Sequence, residues 1–160
     1  PYMKTNKLVI GTKGDKLQGT GIFIDADYKP FIISKEKNDL WILNVNKYKD
    51  NLADLCGLIW DVKKTTVQPA GFLNFPQTID GKYNDKNYFS HFEAEHKVID
   101  PKSNKFIWQK KTAGEQNHIF DCRILNMAAK DIFIYKFFEA TKVKDWRKKD
   151  WSDFVKMVFG

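Results

Sequence analysis

Asp121 is the residue best placed to do chemistry. At about 100° per residue, a helix over Glu115 to Ala140 sets Asp121 on one face with Ile124, Leu125, Ala128, Ile132 and Tyr135. Arg123, Asn126 and Lys130 fall on the opposite face. A carboxylate on an apolar stripe must be neutralised, hydrogen-bonded, paired or bound to a cation, because an unpaired buried charge is costly. Two readings stay open. An Asp near a helix start is favoured by the helix dipole, and geometry alone leans to that structural role; the other reading is a metal ligand. The remaining acids carry weaker signals. Glu93 and Glu95 flank Ala94 and cannot share a helix face; both lean to solvated charges, and a functional role stays open for one of them. Asp25 and Asp27 resemble turn residues. His91, His96 and His118 lack zinc spacing, since His91 and His96 are not one helical turn apart. No Gly-x-x-x-x-Gly-Lys-Ser/Thr loop and no nucleophile elbow occurs.

The elements that must position these residues read as mixed α and β. Lys7–Thr12 is an apolar, β-branched run ending at the Lys13-Gly14 turn signal. Lys16–Gly21 is a loop, and Tyr28–Ser34 holds a hairpin arm. Leu40–Val45 is the clearest strand, expected to lie parallel to Lys7–Thr12 in one sheet. Asn46 is positioned to cap a helix to about Leu58, with Leu52, Leu55 and Ile59 at helical spacing. Thr65–Pro76 is extended. Asn84 or Asp85 opens a helix through Tyr88, Phe89, Phe92 and Glu95. Asp100-Pro101 is a turn and Lys105–Lys110 a strand. From Lys142, the spacing of Trp146, Trp151, Phe154 and Val158 suits a short amphipathic helix, read as docked on the domain ahead of a partner-binding peptide.

Composition bounds the function. The 160 residues are 42% hydrophobic and 15% aromatic, enough to bury a core and of a length for one domain. No apolar run approaches the roughly 18 residues of a membrane span, and no signal peptide is evident. Cys56 and Cys122 form neither a metal cluster nor a disulfide framework, which fits a reducing compartment. The net charge of +7 suits an acidic partner such as nucleic acid, or simply a solvated lysine-rich surface. Only Arg123 and Arg147 are arginines. Lysine attracts phosphate diffusely and does not read bases in bidentate fashion. The span from Lys102 to Lys111 contains Lys102, Lys105, Lys110 and Lys111 and no acid, so these four are the DNA-backbone candidates. The chain starts at Pro1, almost directly in a strand-like run, and reads as a fragment lacking its N-terminal neighbour.

A resemblance adds to this reading. Asn117-His118-Ile119-Phe120-Asp121-Cys122-Arg123, then Leu125-Asn126-Met127-Ala128-Ala129, resembles the closing helix of the GpA-type phage terminase large subunit. There an Asn precedes an Asp-Cys pair and an Ala-rich helical stretch. Weaker signals follow in family order: Lys13-Gly14 after a strand, Leu40-Trp41 opening the next, and Lys49 in the helix after it. Phe75-Pro76 is similar to a His-Phe-Pro-like segment. Tyr88-Phe89 with Glu95 is similar to Tyr-Phe-x-x-Leu-x-x-Glu, with Phe92 in the Leu position, and Trp108 with Lys110 to a Trp-x-Lys strand. The resemblance spans roughly residues 7 to 135. His118 departs from it, standing where Glu is frequent.

The resemblance implies a partial RNase H-like α/β nuclease fold, a mixed sheet flanked by helices, over residues 1–141, with 142–160 as an amphipathic tail. It implies a viral endonuclease that cuts concatemeric double-stranded DNA during packaging in the host cell cytoplasm. The small terminase subunit and the portal would be partners in the complete protein. Such nucleases hold two divalent cations on carboxylates, and oxygen ligands favour Mg²⁺ or Mn²⁺. Asp121 would be the last acidic ligand, and so catalytic. The earlier acids would precede Lys7, with an ATP-driven motor further upstream, so residues 1–160 alone should cut little. The competing reading is a non-enzymatic DNA- or protein-binding α/β module.

Overall fold

The computed structural model describes residues 12–15, 31–34, 40–75 and 85–160. They divide into two compact units, Pro1–Val45 with Leu125–Gly160, and Asn46–Ile124.

Among the described residues the first unit holds a mixed three-stranded sheet in the order β1-β3-β2. β1 (Thr12–Asp15) runs parallel to β3 (Leu40–Asn44), with Thr12 opposite Trp41 and Asp15 opposite Asn44. β2 (Phe31–Ser34) runs antiparallel to β3, as expected of a hairpin arm. The parallel pairing expected of the first and third runs is present at Thr12–Asp15. Residues 7–11 lie outside the described residues, and Lys13-Gly14 sits within β1 instead of turning the chain. At a sheet edge a glycine and a lysine cost little, because ladder bonds to β3 fix the backbone. On β3 the period of two is plain: Trp41 and Leu43 are buried, while Ile42 and Asn44 are half-buried.

β3 passes into α1 (Val45–Cys56) with no intervening residue. Asn46, the expected cap, therefore falls inside the first helical turn. Gly57 ends the helix, its N–H reaching the carbonyls of Ala53 and Asp54 at 3.0 and 3.2 Å. Ile59 lies beyond that end and is 88% exposed, so it is not on the helix's apolar stripe. The stripe is Tyr48 and Leu52, both buried in the second unit. The loop that follows is pinned by the Trp60 indole, which donates to the Thr65 carbonyl at 3.1 Å and packs edge-on against Phe72. At Gly71 φ is +81°, and a Cβ there would stand 2.7 Å from Leu55 Cδ2.

α2 (Asp85–Glu93) stacks Tyr88, Phe89 and Phe92 around Phe75. The helix was expected to reach Glu95 and stops short of it. The Ala94 carbonyl accepts from the Lys111 N–H at 3.0 Å, so the hairpin ladder takes the backbone there. β4 (Glu95–Asp100) and β5 (Lys105–Lys110) form that hairpin, with Glu95 opposite Lys110 and Asp100 opposite Lys105. The Asp100 turn is as expected. Its carboxylate accepts from the Ser103 hydroxyl at 2.6 Å and from the N–H groups of Lys102 and Ser103, which hold the carboxyl below the usual range.

α3 (His118–Thr141) carries its buried stripe through Phe120, Ile124, Ala128 and Ile132. Asp121 and Leu125 each fall within about 20° of Ile132 on the helix wheel, at the margin of that stripe. Leu125 is nevertheless 49% exposed, not core-facing. In the first unit the far half of α3 also buries a second side, Ile134 and Phe138, under Phe154 of α4 (Trp151–Phe159). The tail thus folds as a docked amphipathic helix, as expected. A short 3-10 turn, Trp146–Lys148, leads into it, and Asp150 with Asp153 forms a reciprocal capping box. Among the described residues no helix is long and apolar enough to cross a membrane.

Candidate active site

The second unit gathers its buried polar groups at one place, where three elements meet. α1 supplies Lys49, the first residue of β4 supplies Glu95, and the start of α3 supplies Asn117 and Asp121. Lys49, Glu95 and Asn117 are all buried. Glu95 is the hub. Its Oε2 accepts from the Lys49 ammonium in a buried ion pair, and its Oε1 accepts from Asn117 Nδ2 at 2.5 Å. Both carboxylate oxygens are therefore satisfied, as burial of a charge requires.

Each contributor is placed by its local fold. Asn117 immediately precedes α3, and its carbonyl accepts the Asp121 N–H at 2.9 Å, so helix geometry fixes Asp121 one turn further on. The Asn117 side chain is directed at Glu95. Beneath the cluster, Phe120 packs against Trp108 of β5 at 5.9 Å between centroids, and the Lys49 ammonium lies 5.9 Å from the Phe120 ring. The Trp108 indole donates to Asp50 Oδ1 at 2.8 Å, and Lys97 pairs with the same oxygen at 2.9 Å.

Asp121 itself is half-buried. Loss of water pushes its carboxyl above the usual range; Lys49 pulls it down, Glu95 pushes it further up, and Lys110 and His118 pull it down. The same site thus holds two carboxylates of unlike character, one locked in an ion pair and one raised in proton affinity. That arrangement marks a functional-site candidate.

Of the expected DNA-binding lysines, all four lie on the hairpin or at its end, and all are exposed. Lys110 shares a face with Glu95 across the ladder and acts on Asp121, while its ammonium also donates to the Glu115 carbonyl at 3.0 Å. Lys105 is on the other face of β5, Lys102 is in the turn, and Lys111 follows the strand. Glu95 corrects the sequence reading: it is buried at a strand start, whereas Glu93 is solvent-exposed as expected. The signal for it was the Tyr-Phe-x-x-Leu-x-x-Glu-like spacing, not helix periodicity. His91 and His118 approach within 6.1 Å, yet among the described residues no group of three His, Cys, Asp or Glu can hold a metal ion. Cys56 and Cys122 are free thiols.

Comparison with known proteins yields one family. The profile described as "Terminase large subunit gpA, endonuclease domain" matches residues 3–148. No curated protein and no solved structure matches the chain significantly.

Proposed function

The chain belongs to the terminase large subunit gpA endonuclease domain family, and from that premise we propose that it cuts concatemeric double-stranded DNA with Asp121 as a catalytic metal ligand. The observation that carries this reading is the placing of Asp121 beside the Lys49–Glu95–Asn117 cluster, half-buried and raised in proton affinity by lost water. Asp121 fits a place in a divalent-cation site, since a cation offsets the desolvation of a carboxylate. Glu95 does not fit a second place while Lys49 and Asn117 occupy its oxygens. The other ligands would come from outside the described residues. Bound Mg²⁺ or Mn²⁺ would activate water and stabilise the leaving oxygen of the broken phosphodiester.

The chain's own residues have distinct tasks. Lys49 and Asn117 hold the buried Glu95 side chain in one orientation beside the Asp121 helix turn. Lys102, Lys105, Lys110 and Lys111 draw the DNA backbone to the hairpin. In fold terms, residues 1–141 form the C-terminal portion of an RNase H-like nuclease domain and 142–160 its docked tail. The complete protein works in the host cell cytoplasm with a small terminase subunit and a portal. A second reading, a non-enzymatic DNA- or protein-binding module, draws on the full occupancy of the Glu95 oxygens.

One substitution separates the two. In the complete protein, Asp121→Asn is expected to abolish Mg²⁺- or Mn²⁺-dependent cutting, on the order of a hundredfold or more for the several kcal/mol a metal contributes. ATP hydrolysis should persist. Cutting at near wild-type rate would make Asp121 a structural helix-start residue.

A further inference from the structure

The β4–β5 hairpin carries an exposed apolar pair at its far end. Ile99 and Phe106 are directly opposite in the ladder and are 54% and 59% exposed. Paired residues share a face, and alternation puts Ile99 and Phe106 on the same face as Lys97 with Trp108 and Glu95 with Lys110. That face therefore runs from the carboxylate site to the pair. At about 3.4 Å per residue, Ile99 stands about 14 Å along the strand from Glu95. The reach is within about four base steps of a duplex, at roughly 3.4 Å each.

The tip is closed by hydrogen bonds and lysines lie around it. Asp100 accepts three hydrogen bonds across the turn, and Asn104 takes a φ of +52° to close it. The Asp100 carboxylate is thereby turned into the loop. Lys97 lies 5.3 Å from the Phe106 ring centroid, and Lys102 and Lys105 flank the tip. A fixed, exposed Phe–Ile pair ringed by lysines matches the apolar wedges with which proteins enter the minor groove and unstack a base step.

Resting on the DNA-cutting reading above, we propose that Ile99 and Phe106 form a wedge that inserts into duplex DNA beside the Asp121 site and unstacks it. The lysines attract the backbone; the apolar pair spends that attraction on distorting the DNA. Ile99 and Phe106 are positioning residues, since they touch bases remote from the reacting phosphate.

The test uses residues 1–160 and a duplex carrying 2-aminopurine, whose fluorescence rises on unstacking. Wild type is expected to give salt-sensitive binding with a fluorescence rise at saturation. The paired variant Ile99→Ser with Phe106→Ser should lose the rise and bind about tenfold more weakly. Phe106→Leu, which keeps an apolar wedge, should retain the rise. Lys102→Gln with Lys105→Gln should weaken binding and flatten the salt dependence, yet leave the rise at saturation intact. Lysine-dependent binding with no rise in wild type, or loss of the rise in Phe106→Leu, overturns the wedge and spares the DNA reading. Absence of salt-sensitive binding by wild type overturns both. Unchanged circular dichroism shows that the serine variant is folded; if it unfolds, Ile99→Ser alone decides by the same fluorescence readout.

Discussion

The two ends of α3 bury opposite kinds of group. Its first turn enters a cluster of Lys49, Glu95 and Asn117, where every charge removed from water has a partner. Its last turns bury Ile134 and Phe138 against Phe154, with Phe137, Val143 and Trp146 at the margin. The Phe137 and Phe154 rings meet edge-on at 4.8 Å, as do Tyr135 and Trp146. The apolar end needs only area and shape, which many sequences supply. The polar end needs particular partners at particular atoms, and a buried ion pair is a poor stabiliser compared with apolar packing. Its charges act on the neighbouring carboxylate: Lys49 lowers the proton affinity of Asp121 and Glu95 raises it.

That contrast can be broken first at its polar end. Lys49→Ala leaves the Glu95 carboxylate buried and uncompensated, and is expected to cost about 3–5 kcal/mol in denaturant unfolding. Replacing Glu95 by Gln in the same background should return most of that loss. A cost below about 1 kcal/mol for Lys49→Ala would mean that the pair is not organised in solution.

At the apolar end, Phe154→Ala should cost about 3 kcal/mol through lost burial and a cavity. Hydrogen exchange is the better readout, because the loss of protection should concentrate in 151–159. Protection unchanged there would show that α4 is not anchored by Phe154.

The smallest effect lies in the pH dependence of Asp121. Its folded pKa is raised, by burial first and Glu95 among the charges. Between the ordinary Asp value and the raised one, the folded state therefore binds more protons than the unfolded state. Stability from this group is greatest at low pH and falls as pH rises through that window. Asp121→Asn removes the fall, so the variant should gain stability over wild type as pH rises towards neutrality. A variant less stable than wild type at neutral pH would reverse the sign and show that the ionised carboxylate is favoured in the fold.

What could be read ahead of the structure followed the range of the interaction. Lys105–Lys110, the long helix and the docked tail are local patterns of apolar spacing, and they stand where expected. Asp121 was legible because helix periodicity places it by its own neighbours. Glu95 was not, because its burial depends on Lys49, far away in sequence, and on a hairpin ladder that stops α2 at Glu93. Leu125 shows the limit of a wheel drawn without partners: the stripe was right, but Leu125 at its margin is exposed while Phe120 is buried. Lys13-Gly14 fell to the same cause, since a strand to pair with overrides a turn signal.

Gly71 carries a consequence for anyone varying this sequence. It lies on the surface, where substitution is ordinarily free. Yet its backbone is left-handed and a methyl group there would collide with Leu55 Cδ2. Any L-residue at that position must both strain the chain and displace a side chain of the preceding helix. At Gly71, therefore, solvent exposure does not bring mutational tolerance. A library that spares the core and randomises the outside would still meet backbone strain at Gly71.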